Sequence, residues 1–190
     1  MERPAGMEPD PATALLDVYD AALPEVYGYL LARCGQRSLA EDLTAETFLA
    51  AVEAVRRRPP PEGLRTSWLI GVARNKLVDH WRRAEREERG LRLVGGLWPD
   101  DMEDPWDVRL DALVAREVLA DVAAHHRAVL TLRYLDGLPV PEVARLLGRT
   151  VHATEALLVR ARRAFRVRYE IHHDVRHEIR HDTVEGKEDR

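Results

Sequence analysis

Apolar residues recur along this chain at steps of three and four, as in Leu15, Val18, Tyr19 and Leu23, then Val26, Tyr27, Leu30 and Leu31. Such spacing lines one face of a helix, and no stretch sustains the period-two alternation of a half-buried strand. The pattern predicts an all-α fold. Ser38 followed by Glu41 makes a capping-box signature for a helix through AEDLTAETFLAAVEAV to about Arg57. The triple proline Pro59 to Pro61 and Gly63 stop it. Thr66 or Ser67 can cap the next helix, which carries GLRTSWLIGVARNKLVDHWRR and runs on into AEREERG. These elements form a first helical domain over residues 12–90.

From residue 91 the character changes. The stretch GLRLVGGLWPDDMEDPW holds glycines, prolines and the acids Asp100, Asp101, Glu103 and Asp104, with too few spaced apolar residues for a core. It reads as a flexible acidic linker over 91–107. Helical periodicity returns at about Val108 and predicts helices near 108–122, 125–135, 140–147 and 151–169, a second small domain over 108–169. The tail, 170–190, is polar, rich in histidine and expected to fray.

Composition narrows the function classes. No run approaches the roughly 20 apolar residues of a membrane span, and MERPAGMEPDPATA lacks the apolar core of a secretory signal, so a cytoplasmic protein is expected. A single cysteine, Cys34, excludes an internal disulfide and any thiolate zinc cluster built by this chain alone; packing is its expected role. The net charge of -4 argues against a nucleic-acid partner only if charge is evenly spread. It is not: Arg160, Arg162, Arg163, Arg166 and Arg168 crowd one segment.

That segment is the most specific signal in the chain. In YLDGLPVPEVARLLGRTVHATEALLVRARRAF a short helix with Val143, Leu146 and Leu147 ends at Gly148, suited to a left-handed turn. Thr150 can cap a longer helix whose Ala153, Ala156, Leu157 and Phe165 face inward. Two helices on so tight a glycine turn match the helix-turn-helix, whose second helix enters the major groove by its N-terminal half. His152, Glu155, Val159, Arg160, Arg162 and Arg163 project outward. Glu155 can accept from a cytosine amino group and Arg160 can pair with guanine or phosphate, whereas Arg162, Arg163, Arg166 and Arg168 suit phosphates. A solvated amphipathic helix is the plainer reading, and the glycine turn with its preceding short helix puts DNA binding ahead of it.

The segment HHRAVLTLRYLDGLPVPEVARLLGRTVHATEALLVRARRAF resembles region four of bacterial sigma factors of the extracytoplasmic-function group, and AEDLTAETFLAAV resembles their region two. The resemblance covers roughly residues 12–168. It implies two helical domains on a flexible linker, binding to core RNA polymerase, and direction of that enzyme to promoter DNA. The implied polymerase-docking residues are Asp42, Leu43, Glu46, Thr47 and Phe48, facing the clamp helices of the largest subunit, with the flap as a further contact. Ala45 stands where the family often has glutamine. On the residues alone, Leu43, Phe48 and Leu49 read as core and the acids as solvated.

The helix over GLRTSWLIGVARNKLVDHWRR then divides by face. Leu69, Val72, Ala73, Leu77 and Trp81 follow core spacing; Arg74, Asn75, Val78, Asp79, Arg82 and Arg83 fall opposite. In the family this helix and its preceding loop engage the minus-ten element as single strand, which calls for amide, hydroxyl and arginine groups. The implied minus-ten set is Arg65, Thr66, Ser67, Arg74, Asn75, Arg82 and Arg83; Trp68 reads as structural first. The resemblance allows a partner anti-sigma factor, and an acidic linker threading a basic polymerase channel beside the plain reading of a solvated spacer.

No nucleotide-cradling glycine loop, nucleophile elbow or zinc-protease pair occurs, so neither enzyme activity nor a cofactor is expected. Two competing readings are a stand-alone helix-turn-helix regulator and a metal-responsive protein using His173, His177 and His181. The last is the weaker, because charged residues fill the positions between the histidines.

Overall fold

The computed structural model describes residues 11–58, 64–91 and 112–185, and every regular element among them is helical. The all-α expectation therefore holds there. The triple-proline loop and nearly all of the expected linker lie outside the described residues. The chain divides into two compact units, Met1–Asp79 and His80–Arg190.

In the first unit, α1 (Pro11–Cys34) packs on α2 (Arg37–Arg57), and the first half of α3 (Thr66–Leu91) adds buried side chains and a Lys76–Glu46 ion pair to α2. Ala22, Val26 and Leu30 are fully buried, as are Ala40, Ala51, Leu69 and Ala73. Each buried Leu or Val contributes about 1.5–3 kcal/mol. Pro24 lies inside α1, where a proline removes one backbone hydrogen bond and costs about 3 kcal/mol. Its neighbours Ala22 and Val26 are fully buried, so packing on both sides offsets the break.

Gly35 ends α1 with φ 71° and donates its N–H to the Leu31 carbonyl at 3.0 Å. That turn starts α2 earlier than the capping-box signature predicts. Gln36 is the N-cap, without a side-chain cap bond, and Ser38 falls in the first turn. Cys34 is buried and its Sγ donates to the Gln36 carbonyl at 3.3 Å, the packing role expected of it. Nor do Thr66 and Ser67 precede α3 as caps; they open it, with the Trp68 and Leu69 N–H groups reaching the Arg65 carbonyl.

In the second unit α7 (Val151–Glu185) packs against α4 (Ala112–Asp121), α5 (Ala124–Leu130) and α6 (Val140–Leu147). The Arg127 guanidinium donates to the carbonyls of Ala120 and Val122, satisfying the end of α4. The helix expected over 125–135 is α5 followed by one π-helical turn, Thr131–Leu135. Its wider closure runs from the Asp136 N–H to the Thr131 carbonyl at 3.0 Å and leads into Gly137, at φ 67°.

The last helix also runs past its expected end near Tyr169 and reaches Glu185. No glycine or proline occurs between Val151 and Glu185, so the backbone meets no breaker before Gly186. His172 Nε2 lies 2.9 Å from Asp121 Oδ2 and ties this extension to α4.

The turn between α6 and α7 is a Schellman motif. Gly148 takes φ 63° and ψ 38°, its N–H reaches the Arg145 carbonyl, and the Arg149 N–H reaches the Ala144 carbonyl at 2.9 Å. Thr150 then caps α7, its Oγ1 accepting the Ala153 N–H at 3.1 Å. Gly148→Ala puts a side chain in the left-handed region and should cost about 1 to 2 kcal/mol. Gly28→Ala, inside α1 with nothing within 4 Å of the added Cβ, should instead stabilise by about 0.5–1 kcal/mol. Thermal unfolding of the two variants checks both signs.

Candidate nucleic-acid interface

The recognition face is built on α7. Thr154, Leu157, Leu158, Ala161 and Phe165 turn inward and are buried. Thr154 stands where an aliphatic residue is the simpler choice, and its hydroxyl donates to the Thr150 carbonyl at 2.9 Å. Ala153 and Ala156, expected in the core, are half-buried. On the outer side Val151, His152, Glu155, Val159, Arg160 and Arg163 are exposed, and Arg162 is half-buried.

A valine exposed at 39% in the middle of such a face is an apolar group left in water. Together, His152, Glu155, Val159 and Arg160 offer donors, an acceptor and a methyl-contacting surface over the first turns of α7. That is the chemistry of a major-groove reader. Just ahead of this face Glu142 pairs with Arg145 at 3.7 Å on α6.

On α3 the sequence division by face is close to the structural one. Leu69, Ala73, Leu77 and Trp81 are buried and Val72 is half-buried. Val78 is the exception: expected on the outer side, it is 2% exposed. Arg65, Ser67, Asn75, Asp79 and Arg83 are exposed, while Thr66, Arg74 and Trp68 are half-buried.

Arg82 has a use within the second unit that spacing does not reveal. Its guanidinium donates to the Leu146 carbonyl at the end of α6. One turn on, Glu85 Oε1 pairs with Arg149 Nη2 at 2.5 Å, both side chains largely covered. Charge-assisted bonds of this kind are about twice as strong as neutral ones. In this conformation Arg82 serves the helix-turn-helix turn itself. Nothing in AEREERG distinguishes Glu85 from the acids beside it, because its partner is 64 residues away.

The expected polymerase-docking residues separate in the same way. Leu43, Thr47 and Phe48 are buried, at 2%, 0% and 8% exposure. Thr47 gives its hydroxyl to the Leu43 carbonyl at 2.6 Å, and Phe48 meets the Tyr19 ring at 4.7 Å between centroids. These three are core side chains in the structure, whereas the resemblance implied them on the docking face. Asp42 is exposed and Glu46 half-exposed, and Glu46 lies 3.6 Å from Lys76 on α3. Leu49, read as core from spacing, is 64% exposed beside them.

Among the described residues no group of three His, Cys, Asp or Glu converges as a metal site, and no helix is long and apolar enough to cross a membrane. The side chains of His173, His177 and His181 lie outside the described ones.

Two family models match the chain: Sigma-70 region 2 over residues 18–87, and Sigma-70 region 4 over residues 115–165. The second match holds the whole α6–Gly148–α7 turn and its recognition face. The chain belongs to the sigma-70 family, in its extracytoplasmic-function group.

The family match places most of α1, α2 and most of α3 in region 2, and most of α4 to the middle of α7 in region 4. Among relatives, the chain is similar to the ECF RNA polymerase sigma factor BldN of Streptomyces coelicolor, 33% identical over 156 residues; these are 79% of this chain and 58% of BldN. It is also similar to the ECF RNA polymerase sigma factor SigC of Mycobacterium tuberculosis, 33% identical over 129 residues, 66% of this chain and 67% of SigC. The fold is shared with the sigma factor RpoE of Bartonella quintana, solved with the anti-sigma factor NepR. That likeness has a TM-score of 0.50 at 18% identity and covers 83% of this chain and 97% of RpoE.

The split between core and surface on α2 has a direct consequence. Phe48→Ala should destabilise the first unit by about 3–5 kcal/mol, whereas Asp42→Ala should leave the unfolding midpoint unchanged within about 0.5 kcal/mol. Chemical denaturation of the two variants, read by circular dichroism, separates them.

Proposed function

We propose that this chain is an alternative sigma factor that binds core RNA polymerase and directs promoter-specific initiation. The observation that carries the reading is the α6–Gly148–α7 turn, which exposes His152, Glu155, Val159 and Arg160 together at the start of α7. In this reading α7 enters the major groove of the minus-thirty-five duplex. Glu155 and Arg160 meet base edges, while Arg162 and Arg163 meet phosphates, which position without specifying sequence.

Region 2 supplies the other two activities. Asp42 and Glu46 form the docking acids for the polymerase clamp helices, with Leu49 as the adjoining apolar contact; Leu43, Thr47 and Phe48 support that face from the core. Arg65, Thr66, Ser67, Arg74, Asn75 and Arg83 engage the minus-ten element. Opening the duplex requires tighter binding to the unpaired strand than to the paired one, since only differential affinity shifts that equilibrium. The exposed Asn75 amide and Ser67 hydroxyl are groups that read base edges. Arg82 joins them only when its bond to Leu146 is released. The polymerase flap and an anti-sigma factor complete the proposed partners on family membership.

The purified chain, added to sigma-free core polymerase with a library of genomic fragments, should yield transcripts from discrete promoters; none would overturn the proposal. Asp42→Ala with Glu46→Ala should reduce holoenzyme assembly. Asn75→Ala should assemble normally and lose permanganate-reactive thymines at the minus-ten element. Arg160→Ala should weaken binding to the minus-thirty-five duplex by about 1 to 3 kcal/mol.

A further inference from the structure

The π-helical turn Thr131–Leu135 and α7 share a polar contact: Arg162 Nη1 donates to the Tyr134 hydroxyl at 3.2 Å, across 28 residues of sequence. Single π turns are frequent at functional sites. This one carries Tyr134, 40% exposed, next to Leu135 at 47%. The backbone holds the turn closed, with the Leu138 N–H on the Leu132 carbonyl at 3.1 Å and Arg133 Nη1 on the Leu138 carbonyl at 3.0 Å.

Arg162 differs from its neighbours. Arg160 and Arg163 are exposed, whereas Arg162 is half-buried between the buried Leu158 and Ala161 and the buried Phe165 one turn on. It lies beyond the N-terminal turns of α7 that read base edges, at the level where a docked helix passes the backbone. A guanidinium has five N–H donors in a rigid fork, so it can bond a tyrosine and a phosphate oxygen at once.

We propose that Tyr134 is a positioning residue that holds Arg162 against a DNA phosphate flanking the minus-thirty-five element. The hydroxyl removes rotamer freedom from a long side chain before DNA arrives, so less is lost on binding. This inference rests on the promoter reading above and adds a residue that neither the motif nor the spacing marks.

The test uses the full chain assembled with core polymerase and a duplex carrying only the minus-thirty-five element, titrated across salt concentrations. Tyr134→Phe keeps the ring and removes the hydroxyl. It should weaken binding roughly three- to tenfold at low salt, with a loss that shrinks as salt rises. The slope of log affinity against log salt should become shallower, toward the change of about one expected for Arg162→Ala. The double variant should bind no more weakly than Arg162→Ala alone. Wild-type affinity in Tyr134→Phe, a loss equal at every salt concentration, or independent multiplying losses would overturn the proposal. Failure of the unmodified chain to hold any such duplex would instead overturn the promoter reading, and this inference with it.

Discussion

The left-handed conformation of Gly148 is the constraint on which the recognition surface depends. With φ at 63° it turns the chain from α6 into α7 in three residues, while its N–H and that of Arg149 satisfy carbonyls in the last turn of α6. A side chain there would carry a steric cost, and its Cβ would come within 3.0 Å of Arg82 Nη2. The angle between the two helices, and hence the direction of His152, Glu155 and Arg160, follows from that turn. Thr150 fixes the start of α7 so that these residues fall in its first turns.

Around the turn, charge is used twice. Arg82 belongs to the basic set expected on DNA and Arg149 lies in the turn just before α7, yet both are held by groups of the second unit, the Leu146 carbonyl and Glu85. Arg160 and Arg163 stay outward. A net charge of -4 is compatible with a nucleic-acid reader because acids and arginines are segregated along the chain. The field a partner meets is local, falling off over a Debye length of about 8 to 10 Å in physiological salt.

The two family regions bear different kinds of surface. On α7 the proposed contacts are exposed polar and cationic groups on a helix anchored by Leu157, Leu158, Ala161 and Phe165. On α2 three of the five expected contacts are inside. Leu43, Thr47 and Phe48 hold the helix in place, and Asp42, Glu46 and Leu49 are what a partner can touch. A motif drawn from a family therefore mixes groups that make a contact with groups that build the face.

Local sequence by itself determined the all-helical class of the described residues, most of the α3 core, the end of α2 at Arg57 and the glycine turn before α7, because each is local chemistry of the backbone or of one helix face. Family resemblance in two segments extended this to region 2 and region 4. Only tertiary structure decided that Val78 is buried and Leu49 exposed, since spacing sorts residues onto helix faces but only the packed neighbours decide which positions are covered. Ser38 lost its cap to Gln36 because Gly35 set where α1 ended. Arg82, Glu85, Arg149 and the Tyr134–Arg162 pair were invisible for one reason: a hydrogen bond across 28 or 64 residues leaves no periodic trace.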